Sequence, residues 1–425
     1  MFRTVRRDRQ RGAGLAVLLI AASAPFLGGG AVAASSSGFD LRYGAVFSMS
    51  NDPAGNAVVA FARRWDGTLA PAGSYPTGGT GSGGFEDSAN GLVLGSVSGE
   101  SAPNNLQNFG DLLYATNAGS DNVSVFRVKR SGLELLEVEP SNVMKPVSIT
   151  VNRGIAYVLN SGETIDGLVP PNCAEGALPS VTGFRVSKNG QLTPIPESTR
   201  TLSGDPMSGC AQVSFTPNGR VLVVTERTAK IAGQAPDDEG VINTFVVNRD
   251  GTLGEHKVYD ATGEGPFGFT FNKRGALLTT EQHDGPLGVG LGTAAGYSLG
   301  NDGVLTASGP SVNNGGTDTC WFVVTDSGNY GFSSSFFADG RISSYRVRRN
   351  GALELIKADA GDDQVLTGAS DLSLSRSSRY LYQLNSLEGT ISAFRVGPYG
   401  ALTRVDTVQA FPPSAMAAPL GLASS

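Results

Sequence analysis

Four side chains near two predicted strand ends could carry out acid–base chemistry. Glu226 is followed directly by Arg227, and Glu281 lies two residues before His283. A carboxylate can activate water as a general base, and a guanidinium or an imidazole can stabilise a developing oxyanion. Two nearby carboxylates can also divide the acid and base roles when their environments separate their pKa values. We take these four residues as candidate catalytic groups, the alternative being that the two glutamates are solvated charges at strand ends.

Metal and nucleotide chemistry have little support in the sequence. The chain holds two histidines and three cysteines, and no pair of cysteines has the spacing of a zinc site. Residues 79–84 match the glycine spacing of a dinucleotide-binding loop, but no helical pattern follows them, so we predict a flexible loop there. We therefore predict neither a metal nor a cofactor.

An internal repeat organises the chain and must position these groups. Seven times an aromatic residue is followed six positions later by a glycine, and the segment before each glycine alternates apolar and polar residues. The pairs are Phe61/Gly67, Phe126/Gly132, Phe184/Gly190, Phe245/Gly251, Tyr297/Gly303, Tyr345/Gly351 and Phe394/Gly400. Asp-Gly or Asn-Gly in five copies supplies a tight turn. Each repeat therefore contains a β-hairpin.

Two further strands precede each hairpin, as residues 146–151 and 156–160 illustrate. Each repeat then has four strands, which we name A to D, and it recurs after about 55 residues, the size of a propeller blade. The ring begins at strand B with residues 45–51, and residues 419–423 repeat the strand-A pattern of 266–270. We predict an all-β, seven-bladed propeller of four-stranded blades, closed by its C-terminal strand, which leaves no open edge.

The first 34 residues have the features of a secretory signal peptide. Five arginines precede an apolar run that ends in the small residues 31–33. We predict that residues 1–34 are removed, that 35–425 form the propeller, and that the protein is periplasmic or secreted. Arg6-Arg7 leaves twin-arginine export open. An uncleaved membrane anchor is less favoured because Pro25 and three glycines interrupt the apolar run.

The net charge of the chain limits the classes of partner that it can bind. The chain carries 32 basic and 38 acidic residues, of which 5 and 1 lie in the leader. The mature chain is therefore acidic, and its sequence shows no basic cluster. We expect no binding to nucleic acid, no membrane binding after signal removal, and a monomer.

Strand order places the B–C and D–A connections on one face of the ring. The long B–C loops fall in three consecutive blades, at 161–180, 227–240 and 282–293. Cys173 lies in the first of these loops and Cys210 begins the next blade, so we predict a disulfide between them and a free Cys320. Long loops on a rigid scaffold are common binding sites.

Strand ends and inner strands supply the remaining candidates. Glu226 and Glu281 end strand B where other blades have Asn or Ser, and they belong to adjacent blades. The A strands should line the central channel, so we predict that Gln212, Trp321 and Asp371 bind ligand there, although Trp321 could equally be packing.

The blade pattern resembles the seven-bladed propeller lactonase family, which includes 6-phosphogluconolactonases and carboxy-muconate cyclases, over essentially the whole mature chain. Active members typically carry Pro-Arg-His on an inner strand, then Phe, a Pro-Asn-Gly turn, and Glu at the end of the next strand. Here Phe215, the turn at 217–219 and Glu226 match, whereas residues 210–212 are Cys-Ala-Gln.

This resemblance implies that the chain hydrolyses or forms a small lactone ring, its partner being a lactone or a carbohydrate-derived acid. Glu226 would be the general base, and Arg227 or His283 would stabilise the oxyanion. The missing Arg-His pair favours an alternative, a non-catalytic propeller that binds a ligand or a protein through its loops. A concave pocket where both glutamates and a cation converge would favour the enzyme.

Overall fold

The computed structural model describes residues 43–86, 88–96, 111–161, 178–204, 208–227, 240–283, 285–337, 340–361, 368–414 and 419–425. Within these ranges the chain forms thirty strands and two short 3-10 turns, Gly285–Leu287 and Pro398–Gly400. In this part of the chain, no helix has the length and apolar character needed to cross a bilayer.

The strands fall into seven blades that follow one another along the chain. Blade 1 contains β1 (Ala45–Met49), β2 (Ala57–Arg63) and β3 (Leu69–Pro76). Blade 2 contains β4 (Leu92–Gly95), β5 (Leu112–Asn117), β6 (Asn122–Lys129) and β7 (Gly132–Pro140). Blade 3 contains β8 (Pro146–Asn152), β9 (Ile155–Asn160), β10 (Ser180–Val186), β11 (Leu192–Pro194) and β12 (Arg200–Thr201). Blade 4 contains β13 (Cys210–Phe215), β14 (Val221–Glu226), β15 (Val241–Val247) and β16 (Leu253–Asp260).

The remaining blades follow the same plan. Blade 5 contains β17 (Pro266–Phe271), β18 (Leu277–Glu281), β19 (Thr293–Leu299), β20 (Leu305–Ala307) and β21 (Val312–Asn313). Blade 6 contains β22 (Thr317–Val324), β23 (Tyr330–Phe337), β24 (Arg341–Val347) and β25 (Leu353–Lys357). Blade 7 contains β26 (Ala369–Leu374), β27 (Tyr380–Asn385), β28 (Thr390–Val396) and β29 (Leu402–Gln409). The last strand, β30 (Leu420–Ser424), completes blade 1.

Each blade is a separate antiparallel sheet in the order A-B-C-D, and the predicted fold is confirmed. The inner strands contact one another around the whole ring, in the order β4, β8, β13, β17, β22, β26, β30 and back to β4. Because successive strands alternate in direction, the B–C and D–A connections share one face, which we call the loop face. The A–B and C–D connections share the other, which we call the turn face.

The C-terminal strand closes the ring as predicted. β30 pairs antiparallel with β1, with Phe47 opposite Ala423 and Val46 opposite Ser424. Its two leucines are buried, and the Ser48 hydroxyl donates to the Gly421 carbonyl at 2.8 Å. Blade 1 is thereby built from both ends of the ring, which leaves no inner edge unpaired.

The glycine of the repeat allows neighbouring blades to approach closely. Gly67 has a φ of +91°, and a Cβ built there would lie 2.2 Å from the Tyr380 ring of blade 7. A strand-B tyrosine of the neighbouring blade also donates to the glycine carbonyl: Tyr382 reaches Gly67 at 3.2 Å, and Tyr157 reaches Gly251 at 2.7 Å. The glycine therefore serves both the C–D turn and the packing between blades.

A β-bulge interrupts the inner strand near the loop face. The register between strands A and B shifts in six blades, for example between Cys210, opposite Glu226, and Gln212, opposite Thr225. Such bulges re-aim side chains where a sheet meets a functional face. The inner ends of the strands consequently do not follow simple alternation.

Candidate functional site

Glu226 is enclosed at the end of strand B in blade 4. Its carboxylate is buried and accepts from the backbone N–H of Ser203 at 3.0 Å, the Ser203 hydroxyl at 3.0 Å, the Asn243 amide at 2.7 Å and the Ser208 hydroxyl. These donors fill the hydrogen-bonding capacity of a carboxylate. Burial raises the pKa of Glu226, and the hydrogen bonds from Ser208, Ser203 and Asn243 oppose that rise.

A neutral histidine, His256, contacts a residue that donates to Glu226. The Asn243 oxygen contacts His256 Nε2 at 2.8 Å, and the His256 ring stacks on Phe245 with centroids 4.1 Å apart. Burial, followed by nearby Arg200, lowers the pKa of His256 to about 4. Because the Asn243 amide nitrogen donates to Glu226, its oxygen must accept a hydrogen bond from the N–H of His256 Nε2, which fixes the tautomer.

Glu281 occupies the equivalent position in blade 5 and has its own network. It accepts from the Gly263 N–H at 2.8 Å and from the Thr293 hydroxyl at 2.5 Å, and it is buried. His283 Nε2 contacts the same Thr293 hydroxyl at 2.8 Å, and its Nδ1 lies 3.6 Å from a Glu264 oxygen. The structure therefore links Glu281 with His283 through Thr293. Among the described residues no hydrogen bond joins Glu281 to Glu226.

The same strand-end position ties each blade together elsewhere in the ring. Asn117 donates to Ser124 of strand C at 2.8 Å and accepts from Thr77 of the D–A connection at 2.8 Å. Asn385 likewise donates to Ser392 of strand C at 3.1 Å. Glu226 and Glu281 thus replace Asn at a buried position that joins connection and strand C, and the expectation of solvated strand-end charges is wrong.

The residue after each strand-end glutamate points into a different network. With its amide oxygen facing Arg227, Gln282 accepts from the Arg227 guanidinium at 3.2 Å and donates to Asp318 Oδ1 at 3.1 Å. The Cys320 thiol donates to the same Asp318 oxygen at 3.2 Å. Arg227, Gln282 and Asp318 are 3%, 4% and 2% exposed. We call these three residues the polar row, and it links blades 4, 5 and 6 at the loop face.

Sequence reasoning found Arg227 and missed Gln282 and Asp318. Gln282 lies between the candidates Glu281 and His283, and Asp318 lies at the start of an inner strand, two residues before Cys320. No sequence pattern marks Asp318, whose φ of +58°, a conformation that Asp and Asn tolerate better than most residues, is visible only in the structure. Only the ring geometry brings the three blades together.

The three inner-strand residues that were predicted to bind ligand mainly form contacts between blades. Gln212 is fully buried and forms two hydrogen bonds with the Phe269 backbone of blade 5, at 2.8 and 2.9 Å. Asp371 accepts from the Gly421 N–H of β30 at 3.0 Å. Trp321 packs in an apolar cluster, with its ring 5.3 Å from Phe267. Ligand binding by these three residues stays a prediction.

The connection from blade 1 to blade 2 crosses the ring centre at the loop face. The Ala89 N–H donates to Ala211 of blade 4 at 3.0 Å, and the Ser88 hydroxyl donates to the Val147 carbonyl of blade 3 at 3.1 Å. Phe85 packs on Phe336 of blade 6, with centroids 4.8 Å apart. This connection includes the glycine-rich residues 79–84, which form a loop without a helix.

Glu86, in the same connection, is another buried carboxylate that sequence reasoning missed. Burial raises its pKa to about 7, although hydrogen bonds from Ser82 and the charge of Lys145 act to lower it. Its Oε1 atom has no hydrogen-bond partner among the described residues. The connections of the loop face therefore carry a further buried ionisable group besides those of the polar row.

The cysteines agree in part with the sequence analysis. Cys320 is free and buried, and Cys210 is disulfide-bonded. The predicted partner, Cys173, lies outside the described residues, so the pairing itself stays a prediction. No group of three or more His, Cys, Asp or Glu in the described part of the chain could hold a metal ion.

Asp371 makes ring stability depend on pH. Burial raises its pKa from 3.8 to about 7, against the opposing effect of the Gly421 N–H and the Trp321 indole. Folding therefore takes up a proton between these two values, and stability is expected to fall as the pH rises through them. Asp371→Asn should flatten the decline in melting temperature over that window, while exposed Asp302→Asn should leave it unchanged. Equal pH slopes for Asp371→Asn and the wild type would contradict this, although Glu86 should leave some slope in both.

The fold of the chain is shared with proteins of known structure. A scan against protein-family models finds no match, and a search of curated proteins finds none either. Solved structures do match, over nearly the whole ring, and three of them are named as sugar-lactone enzymes. The chain therefore shares the propeller fold of these proteins.

Three of these structures give the scale of the likeness. A proposed 6-phosphogluconolactonase from Bacteroides fragilis is 15% identical, with a TM-score of 0.63 over 91% of this chain and 99% of that chain. Another from Bacteroides uniformis is 15% identical, with a TM-score of 0.64 over 87% and 97%. The periplasmic gluconolactonase of Pseudomonas aeruginosa is 14% identical, with a TM-score of 0.59 over 88% and 97%. At such identities the likeness shows the fold.

Proposed function

We propose that the protein is a lactone hydrolase that binds a small lactone at the centre of the loop face, beside the polar row. The observation that carries this proposal is the row itself, in which one amide joins a buried cation, Arg227, to a buried carboxylate, Asp318. Similar structures named as lactonases support the substrate class. The proposed substrate is a lactone of a carbohydrate-derived acid.

The chemistry assigns one role to each member of the row. Water attacks the lactone carbonyl while Asp318 accepts its proton, and Arg227 stabilises the oxyanion that forms. As the ring C–O bond breaks, the protonated carboxyl returns its proton to the leaving alkoxide, which gives the open hydroxy acid. Gln282 holds both groups, because its amide oxygen accepts from Arg227 while its nitrogen donates to Asp318.

The strand-end glutamates are positioning residues in this proposal. Glu226 precedes Arg227 and Glu281 precedes Gln282, so fixing each glutamate fixes the start of the residue that follows. Burial raises the pKa of Glu226, which is the direction that suits the general-base role expected for it from the sequence. Its four donors, however, leave no lone pair for a water molecule.

A second candidate is a non-catalytic propeller that binds a ligand on the same face. The observation in its favour is Gln212, which stands where active members of the resembled family carry His and which is occupied by the Phe269 backbone. In that case the polar row would bind the carboxylate or carbonyl of a ligand without turning it over. For both candidates we propose export after removal of residues 1–34.

A lactone panel tests the proposal and separates it from the alternative. Purified protein is assayed against δ- and γ-aldonolactones and muconolactone-type substrates by pH-stat, with base-catalysed opening subtracted. We expect hydrolysis of at least one sugar lactone well above the background. Binding of a lactone or its acid without turnover would support the binding propeller instead, and absence of both would overturn both.

A further inference from the structure

Basic side chains collect on the turn face, opposite the proposed active site. The C–D turns carry six, all exposed: Arg64, Arg130, Lys188, Arg249, Arg348 and Arg349. In four blades the residue two positions before the repeat glycine is basic, so these charges project from the same point of each rigid hairpin. The repeat therefore spaces positive charges regularly around the ring.

The A–B turns of the same face add six more exposed basic residues: Arg153, Arg220, Lys273, Arg274, Arg376 and Arg379. The described connections of this face hold only five acidic residues: Asp66, Asp111, Asp250, Asp302 and Asp326. The described connections of the loop face show the opposite balance, with Arg227 and Lys145 against Asp52, Glu86, Asp121, Glu264, Asp359 and Glu388. An acidic chain thus presents one basic face.

Two exposed aromatic residues lie among these charges. Trp65 is 73% exposed and Tyr399 is 72% exposed, in the C–D turns of the adjacent blades 1 and 7. Tyr399 also has a φ of +60°, which is unusual for a bulky residue. Trp and Tyr with Lys and Arg form the composition that membrane–water interfaces favour.

The face also contains a basic groove in blade 6. Its volume is about 290 Å³, and Asn329, Tyr330, Arg346, Arg348 and Arg349 contribute to its lining. Glu354 lies 2.5 Å from Arg348 and 3.9 Å from Arg346, so one of the three positive charges is compensated. The two remaining positive charges and the small volume suit a phosphate headgroup.

We propose that the turn face docks on an anionic phospholipid surface. The aromatic pair favours a lipid surface over nucleic acid, because indole and phenol rings partition into the headgroup region while basic residues contact phosphates. Docking in this way leaves the loop face and the polar row directed away from the membrane. The inference goes beyond the proposed hydrolase and does not depend on it.

Vesicle flotation tests this with residues 35–425, which contain every described strand and the closing strand. We expect binding to phosphatidylcholine vesicles that contain one third phosphatidylglycerol, and little binding to pure phosphatidylcholine or in high salt. Neutralising Arg130, Lys188 and Arg349 to Gln should weaken binding on the order of a hundredfold, from about fivefold for each charge. Trp65→Ser with Tyr399→Asn should weaken it several-fold, and Asn tolerates the backbone of Tyr399.

A control on the opposite face makes the result specific. Leu287 and Val289 of the blade 5 B–C loop are 86% and 70% exposed, and the double change to Ser should leave vesicle binding intact. The proposal is overturned if that variant loses binding, or if the triple Gln variant keeps it with an unchanged melting temperature. It is also overturned if duplex DNA binds more tightly than the vesicles, or if soluble phosphate at the lipid phosphate concentration releases the protein.

Discussion

Removing residues 419–425 is expected to lower the melting temperature of the ring by about 9 °C. The deletion removes the buried Leu420 and Leu422, exposes the faces of β1 and β4 that β30 covers, and breaks the pairing of β30 with β1. Apolar exposure and lost hydrogen bonds together should cost about 7 kcal/mol. A domain of this size has an unfolding entropy of about 0.8 kcal/mol per degree, which gives the expected shift.

A peptide added in trans supplies the control. A synthetic peptide that spans 410–425 should restore much of the lost stability, because it can occupy the vacant inner position of blade 1. The same peptide with Leu420 and Leu422 changed to Ser should not restore it. A truncated ring that melts with the wild type would show that β30 contributes little to closure.

The architecture could be predicted because short local sequence patterns specify each blade and recur along the chain. Each hairpin has its own aromatic residue, its turn glycine and its strand alternation, so seven copies report the same unit. The closing strand was also predictable, because the blade that lacked an inner strand and the C-terminal segment that resembled one are complementary. Both inferences use short stretches of sequence.

The site could be predicted only in part, because burial and contacts between blades are not local. Glu226 and Arg227 were correctly placed at a strand end, but sequence does not show that four donors enclose the glutamate. The bulge in the inner strand changes which side chains face the centre. The polar row joins residues of three blades, and no sequence spacing reveals that they meet.

Composition was also misleading about charge. The chain is acidic overall, and after residue 34 its basic residues occur in groups of one to three along the sequence. Because A–B and C–D turns recur in every blade, folding brings these scattered residues to one face. A repeat protein can therefore have a strongly basic surface without any basic stretch in its sequence.

The largest expected effect on turnover is that of changes in the polar row. Asp318→Asn should lower kcat by roughly 10² to 10⁴, the usual contribution of general-base catalysis. Asn keeps an oxygen that can accept from Gln282, and it tolerates the positive φ of this position, so the fold should be retained. Arg227→Gln should lower kcat by roughly 10² to 10³ through loss of oxyanion stabilisation.

Glu226→Gln separates positioning from catalysis. The new amide group would point its NH₂ at a donor of Ser203, Ser208 or Asn243, so we expect a clear loss of stability, about 1–3 kcal/mol for an unsatisfied buried group. The near-isosteric change therefore lowers the stability of the fold, whereas at an exposed strand end it would have little effect. Glu281→Gln tests the same argument at the equivalent position of blade 5, where we expect a similar loss of stability.

The pH dependence of kcat decides which carboxylate is the base. If Asp318 is the base, Asp318→Asn should abolish the acidic limb of the profile, while Glu226→Gln should keep that limb and lower the melting temperature. The opposite pattern would place the base at Glu226 and make Asp318 a positioning residue. In that case Glu226→Gln would keep the wild-type melting temperature, lower kcat by at least roughly 10² and lose the acidic limb. Asp318→Asn would then remain nearly fully active.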